Sequence, residues 1–110
     1  MISNFFLPHF PARYFRHFKL DQHFKFVLDS AAFGFKKPHP AIFKEAMRLA
    51  RLELKDASRV LFIGDRLDSD ILPARELGMQ VLHFNRTKTR PGVESTPPGI
   101  PVIYDWSDFD

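Results

Sequence analysis

The feature that most constrains the fold is the stretch VLFIGDRLDSD at residues 60–70, where an apolar run ends in a glycine and three aspartates. Four consecutive apolar residues are typical of a strand that is buried on both faces, as in a parallel sheet. The aspartates that follow have two interpretations. They form either an acidic turn that caps the next helix, or a site that binds a cation.

Helices and strands are predicted to alternate along the chain. We expect helices at residues 8–20 and 40–52, and a third helix that residues 68–70 cap and that stops at Gly78. A first strand is expected before Ser3, with only Met1 and Ile2 present, and further short strands are expected at residues 26–28, 60–63, 80–84 and 102–104. This order predicts an α/β fold, a doubly wound parallel sheet between two layers of helices, in one domain over residues 1–110. Residues 85–98 are predicted to form a surface loop, and residues 99–110 a C-terminal strand and tail.

The first two predicted helices each carry an apolar stripe. In the first helix the stripe is aromatic and consists of Phe10, Tyr14, Phe15 and Phe18. Helical spacing places these rings on one side, so we expect them to pack in the core rather than to stack on nucleic-acid bases. In the second helix the expected core residues are Ile42, Phe43, Ala46, Met47 and Ala50.

The composition excludes several kinds of site. The chain has no cysteine, which excludes disulfides, thiolate metal sites and a cysteine nucleophile, and its five histidines lack metal-ligand spacing. The net charge of +3 comes from dispersed basic residues and does not indicate nucleic-acid binding. No stretch is long enough to span a membrane and no secretory signal begins the chain, so we expect a cytoplasmic protein with no membrane partner.

Polar residues follow three of the expected strands. Ser3 and Asn4 come first, Lys37 lies in the loop after the second strand, and Asp65 and Asp70 follow the third. Ligands of open α/β sheets bind beyond the carboxyl ends of the strands, so we expect a phosphate and a divalent metal at this rim. Two neighbouring carboxylates repel each other unless a cation lies between them, and hard oxygen ligands suit Mg²⁺.

Each of these residues also has a simpler interpretation that the sequence leaves open. Ser3 is an ordinary helix cap, and Asp68 and Asp70 cap the third helix. Lys37, which stands between Lys36 and a proline, is a solvated loop charge.

Taken together, these stretches resemble the haloacid dehalogenase-like (HAD) hydrolase superfamily. ISNF at residues 2–5 is similar to the second signature motif of that family, SAAFGFKKPHPAIF at residues 30–43 to the third, and VLFIGDRLDSDILPARELGM at residues 60–79 to the fourth. The resemblance implies a three-layer, Rossmann-like core.

The resemblance also implies roles for the candidate residues. Ser3 would hold the substrate phosphate with Asn4 beside it, and Lys37 would steady the nucleophile and the phosphoryl charge. Asp65 and Asp70 would bind Mg²⁺. The substrate would be a small phosphorylated molecule.

The first motif of the family has no match in this chain. In the family, an Asp-x-Asp pair at the end of the central strand supplies the covalent nucleophile and the general acid/base. Asp68 and Asp70 belong to the fourth motif, and Asp108 and Asp110 are not followed by the turn and helix that the first motif needs. We therefore expect a partial core that lacks the central first strand and the cap, and that has no activity alone.

Three functions remain open at this point. The resemblance implies the C-terminal part of a Mg²⁺-dependent phosphatase-type hydrolase that acts on phosphomonoesters. The alternative is a non-catalytic remnant that serves as a binding or assembly module and pairs its open sheet edge with a partner chain. A haloacid dehalogenase is a third alternative, which Asp65 and Asp70 disfavour because that reaction needs no Mg²⁺.

Overall fold

The chain forms two compact units, Met1–Leu54 and Lys55–Asp110. The computed structural model describes residues 1–86 and 95–109. Residues 87–94 of the predicted surface loop and the last residue, Asp110, therefore lie outside the described residues. Helices and parallel strands follow one another in both units, which confirms the predicted α/β class.

The first unit contains a two-stranded parallel sheet and three helices. Strand β1 (Ile2–Ser3) pairs with β2 (Leu28–Asp29), and the register places Ser3 beside Asp29. The helices are α1 (Phe10–His17), α2 (Ser30–Phe33) and α3 (Pro40–Leu49), with a 3-10 turn at Asp21–His23. The strand expected at residues 26–28 thus lies later in the chain, and α2 forms where a loop was expected.

Helices α1 and α3 are both shorter than predicted. Each ends before a basic residue in the left-handed conformation, Lys19 at φ 55° and Arg51 at φ 59°. After α3, the Leu52 amide donates to the Met47 carbonyl at 2.9 Å, which closes the helix as a Schellman motif. Helix α1 also starts late, because His9 before it has φ 60°.

Helix α3 supplies buried residues of the first unit, as its stripe predicted. They are Ile42, Phe43, Ala46 and Met47, whereas Ala50 is only half-buried. The expected core packing of the α1 stripe is wrong for three of its four rings, since only Phe15 is half-buried. Phe10, Tyr14 and Phe18 are 40%, 48% and 53% exposed, and these rings contact one another along the helix instead. Periodicity shows that the rings share a face, but it does not show what covers that face.

The second unit contains a three-stranded parallel sheet in the order β3–β4–β5. These strands are β3 (Leu61–Gly64), β4 (Gln80–Phe84) and β5 (Val102–Ile103). A π-helix (Leu67–Ile71) runs into α4 (Leu72–Glu76) between β3 and β4, and 3-10 turns occupy Leu54–Arg59 and Trp106–Phe109. Gly78, at φ 92°, follows α4 and ends it as predicted.

Strand β3 lies at the edge of this sheet, and the expected burial of both its faces is wrong. Leu61 and Ile63 are 48% and 38% exposed. Leu61 and Ile63 are two residues apart and therefore share one face of the strand, which is only partly covered. The strand also has an open edge, because β4 pairs with one side of β3 and no strand of the described residues pairs with the other. Strand β4 lies between two neighbours and buries Val81, Leu82 and His83.

Candidate functional site

Two of the sequence-predicted site residues, Asn4 and Lys37, bind each other in the first unit. The Asn4 Nδ2 donates to the Lys37 carbonyl at 2.9 Å, and the Lys37 amide donates to Asn4 Oδ1 at 2.8 Å. The pair joins the loop after β1 to the loop after α2 across 33 residues of sequence. The Asn4 side chain therefore braces the backbone that carries Lys37, whose peptide bond to Pro38 is cis.

Ser3 is the last residue of β1 and is half-buried. The helix-cap interpretation of Ser3 is wrong, because the next helix begins at Phe10 and its N-cap residue is His9. Lys37 is half-buried while its neighbour Lys36 is exposed.

Two residues that the sequence analysis did not single out hold this part of the unit in place. Asp29, which is 3% exposed, accepts from the Ala32 amide at 2.8 Å and from the His9 amide at 3.1 Å. The Ser30 hydroxyl accepts from the Phe5 amide and donates to the Phe5 carbonyl. An aspartate and a serine directly after a strand are common helix caps, and that signal could have identified both.

In the second unit, Asp65 and Asp70 lie in the turn after β3 and have different surroundings. Asp65 is exposed, whereas Asp70 is 3% exposed and its Oδ2 accepts from the Arg66 amide at 3.2 Å. Gly64 makes room for this carboxylate, since a Cβ at Gly64 would lie 2.5 Å from the Asp70 Cβ and 2.7 Å from Oδ2. Asp70 is thus part of the turn itself.

Asp68, the third aspartate of the turn, forms an exposed ion pair. The Arg66 guanidinium donates to both Asp68 carboxylate oxygens, at 3.1 and 2.9 Å. This hydrogen bonding lowers the pKa of the Asp68 carboxyl. The N-cap residue of the π-helix that begins at Leu67 is Arg66, whose side chain makes no cap hydrogen bond, and the Asp70 carboxylate accepts from the Arg66 amide instead.

The donor chemistry of this turn suits a hard cation. Mg²⁺ usually takes one or two protein carboxylates and completes its shell with water and phosphate, and Asp65 and Asp70 are two such carboxylates. In residues 1–86 and 95–109, no group of three or more His, Cys, Asp or Glu side chains is placed to hold a metal.

The surroundings of Asp65 also contain a pocket and a buried histidine. The pocket has a volume of about 240 Å³ and is lined by Ile63, Gly64, Asp65, Phe84, Arg86 and Trp106. His83, on β4, is 3% exposed; its Nε2 lies 3.3 Å from the Asp65 carbonyl and its Nδ1 2.7 Å from Thr96 Oγ1. The prediction for the five histidines concerned metal binding only and gave His83 no role. A histidine within an apolar strand was the available signal.

Comparison with known proteins identifies the family. A family model described as HAD-hydrolase-like matches residues 34–104, which is more than half of the chain. The chain belongs to the HAD-like hydrolases. The family prediction is therefore confirmed, and the matched residues include Lys37, Asp65 and Asp70 but not Ser3 and Asn4.

Curated relatives of this HAD-like chain match over part of its length. A glyceraldehyde 3-phosphate phosphatase from Pyrococcus abyssi is 41% identical over 70 residues, which cover 64% of this chain and 28% of the relative. The human haloacid dehalogenase-like hydrolase domain-containing protein 3 is 47% identical over 60 residues, which cover 54% of this chain and 23% of that protein. The chain thus spans less than a third of the length of these relatives.

Solved structures agree on the fold. The magnesium-bound putative HAD-hydrolase YfnB from Bacillus subtilis has a TM-score of 0.75 at 25% identity, and the match covers 98% of this chain and 45% of that one. A HAD phosphatase from Thermococcus onnurineus has a TM-score of 0.73 at 20% identity and covers 93% and 44%. Helices of the described residues are all too short or too polar to cross a membrane.

Proposed function

We propose that this chain is the C-terminal part of a phosphatase-type HAD hydrolase that acts on small phosphomonoesters with Mg²⁺. The observation that carries the proposal is the pair of hydrogen bonds between Asn4 and Lys37, at 2.9 and 2.8 Å. These bonds fix a loop lysine against the residue that follows Ser3. A phosphate site needs cationic and hydroxyl groups held in place before the substrate arrives. The name of the Pyrococcus abyssi relative, a phosphatase, agrees with this assignment.

The proposed function assigns a separate role to residues of each unit. In the first unit, the Ser3 hydroxyl and the Lys37 ammonium would bind the phosphoryl group and offset its charge. In the second unit, Asp65 and Asp70 would hold Mg²⁺. The aspartate nucleophile and the general acid/base would lie in a segment outside these 110 residues.

Paired lysine variants test the phosphate-binding part on the chain itself. Inorganic phosphate is titrated into the isotope-labelled protein while the amide signals of Ser3 and Lys37 are followed by NMR. We expect these signals to shift in the native chain and in Lys36→Gln, but not in Lys37→Gln. Equal phosphate binding by the two variants would show that Lys37 is an ordinary loop charge.

The activity of the isolated chain tests the assignment of the nucleophile. We expect hydrolysis of p-nitrophenyl phosphate in the presence of Mg²⁺ to stay at the uncatalysed rate, because positioned charges alone do not replace the attacking carboxylate. Turnover that disappears in Asp65→Ala would contradict this and would place a nucleophile within residues 1–110.

A second candidate function, a binding module, is favoured by the edge position of β3. Its exposed Leu61 and Ile63 give an apolar strand with one open side, to which a strand of a partner chain could add. The double variant Leu61→Lys, Ile63→Lys distinguishes the two candidate functions. A binding module would lose its association with other chains in sedimentation experiments, whereas phosphate binding at Lys37 would persist.

A further inference from the structure

His83 differs from the other histidines of the chain in its burial and in its contacts. Of the five histidines, His9, His17, His23 and His39 are exposed, and only His83 is buried. It lies on β4 in register with Gly64, the residue directly before Asp65. Its ring therefore reaches from the middle strand of the sheet to the turn that carries both candidate metal ligands.

The chemistry of the two partners determines where the imidazole proton lies. The Asp65 carbonyl, 3.3 Å from Nε2, can only accept a hydrogen bond, so Nε2 must carry the hydrogen. The Thr96 hydroxyl, 2.7 Å from Nδ1, can donate to the remaining lone pair. One neutral tautomer satisfies both bonds, as a buried polar ring requires.

We propose that His83 is a positioning residue that fixes the turn bearing Asp65 and Asp70. The Nε2 hydrogen bond holds the Asp65 carbonyl, and the amide of the same peptide group, the Arg66 N–H, donates to the buried Asp70 carboxylate at 3.2 Å. The ring and the Asp70 carboxylate thus hold the two sides of one peptide group, and the orientation of that group affects the direction of both carboxylates. The effect of His83 on metal binding rests on the proposed function, whereas its effect on the turn does not.

Two substitutions of His83 distinguish the roles of its two ring nitrogens. The amide nitrogen of His83→Gln can take the place of Nε2 and donate to the Asp65 carbonyl, whereas the shorter side chain of His83→Asn reaches only the Nδ1 position, near Thr96. Thr96→Val is the matched control, because it removes the other hydrogen bond and leaves Nε2 intact. Thermal denaturation of all three variants shows whether each one folds.

Mn²⁺, a paramagnetic substitute for Mg²⁺, is the probe for binding. We expect it to broaden the amide signals of Asp65 and Asp70 in the native chain, His83→Gln and Thr96→Val at similar concentrations. In His83→Asn the concentration needed should rise about 10-fold, the lower end of the effect of residues that orient metal ligands. Equal weakening in His83→Gln and His83→Asn would overturn the positioning role.

Two further measurements do not depend on the metal. In the native chain, long-range proton–nitrogen NMR should show hydrogen on Nε2 of His83, and hydrogen on Nδ1 alone would overturn the proposal. Amide hydrogen exchange at Arg66 should be faster in His83→Asn than in His83→Gln, and equal rates would overturn it as well. If the native chain binds no Mn²⁺, the magnesium assignment of the proposed function fails, and these two measurements still decide the role of His83.

Discussion

At the scale of single residues, the turn after β3 shows how one small residue permits another to be buried. Gly64 is not needed there for a left-handed backbone, since its φ is not positive. It is needed because the Asp70 side chain occupies the space that a Cβ would fill. Gly64 is thus coupled to Asp70, six residues later, and not only to its neighbour Asp65.

Replacing Gly64 should reveal this coupling. A Cβ placed 2.5 Å from the Asp70 Cβ must displace it, so we expect Gly64→Ala to lower the free energy of unfolding by about 1–3 kcal/mol. In an Asp70→Gly background the same change should cost less, with a coupling energy of roughly 0.5–3 kcal/mol in a double-mutant cycle. Additive losses in urea denaturation would mean that the two residues do not compete for space.

The ion pair of Asp68 with Arg66 predicts a small pH effect. Hydrogen bonding to Arg66 lowers the pKa of the Asp68 carboxyl below its ordinary 3.8, so its stabilising contribution is present above pH 3.8 and is lost as the pH falls through the lower value of the folded protein. Carbon NMR of the Asp68 carboxyl should show the low titration midpoint, and Arg66→Gln should raise it. A midpoint unchanged by that substitution would remove Arg66 as the cause.

At the scale of elements, helix ends separate successful from unsuccessful predictions. Helix α4 ends where Gly78 predicts, because glycine adopts φ 92° without steric cost. Helices α1 and α3 end three residues earlier than predicted, at His17 and Leu49. At these ends a lysine and an arginine adopt the left-handed conformation, which sequence rules assign to glycine or asparagine.

Arg51, which follows α3 in the left-handed conformation, is a position where we expect a substitution by glycine to stabilise the protein. Arg51→Gly should raise the free energy of unfolding by roughly 0.5–1 kcal/mol, because relief of the left-handed strain exceeds the entropy cost of glycine. The same substitution inside the helix, at the exposed Lys44, should lower it by about 1 kcal/mol. Urea denaturation of both variants provides the comparison. A loss of stability in Arg51→Gly would show that the guanidinium contributes more than the strain costs.

At the scale of the whole molecule, many large apolar side chains are exposed. Phe6 is 80% exposed. The other exposed apolar side chains include three rings of α1 and two residues at the edge of the second sheet, namely Phe10, Tyr14, Phe18, Leu61 and Ile63. Each unit contains about half of the 110 residues, and units of that size bury too little surface to be more than marginally stable.

We therefore expect the isolated chain to unfold over a broad temperature range and to bind a hydrophobic dye below its midpoint. The physical reason is that units of this size gain little free energy from burial, while exposed apolar residues gain none. Circular dichroism and dye fluorescence, recorded at two protein concentrations, measure both effects. A sharp cooperative transition of a monomer, without dye binding, would contradict this expectation.

The sequence by itself determined the family, the α/β class and the buried face of α3. These properties depend on local patterns: apolar runs, helical spacing, and motifs such as the glycine–aspartate pair at Gly64 and Asp65. Local patterns also placed Asn4 and Lys37 among the site residues, and the structure joins them by two hydrogen bonds.

Only the tertiary structure decided which of these residues are buried and which partners they have. The apolar run at residues 60–63 was expected to be buried on both faces, but the burial of a face depends on what packs against it, and within the described residues Leu61 and Ile63 stay exposed. The burial of His83 and Asp70 is likewise invisible in the sequence, since their partners come from other turns and strands. Spacing along the chain fixes which side chains share a face, whereas contacts between distant segments decide what that face meets.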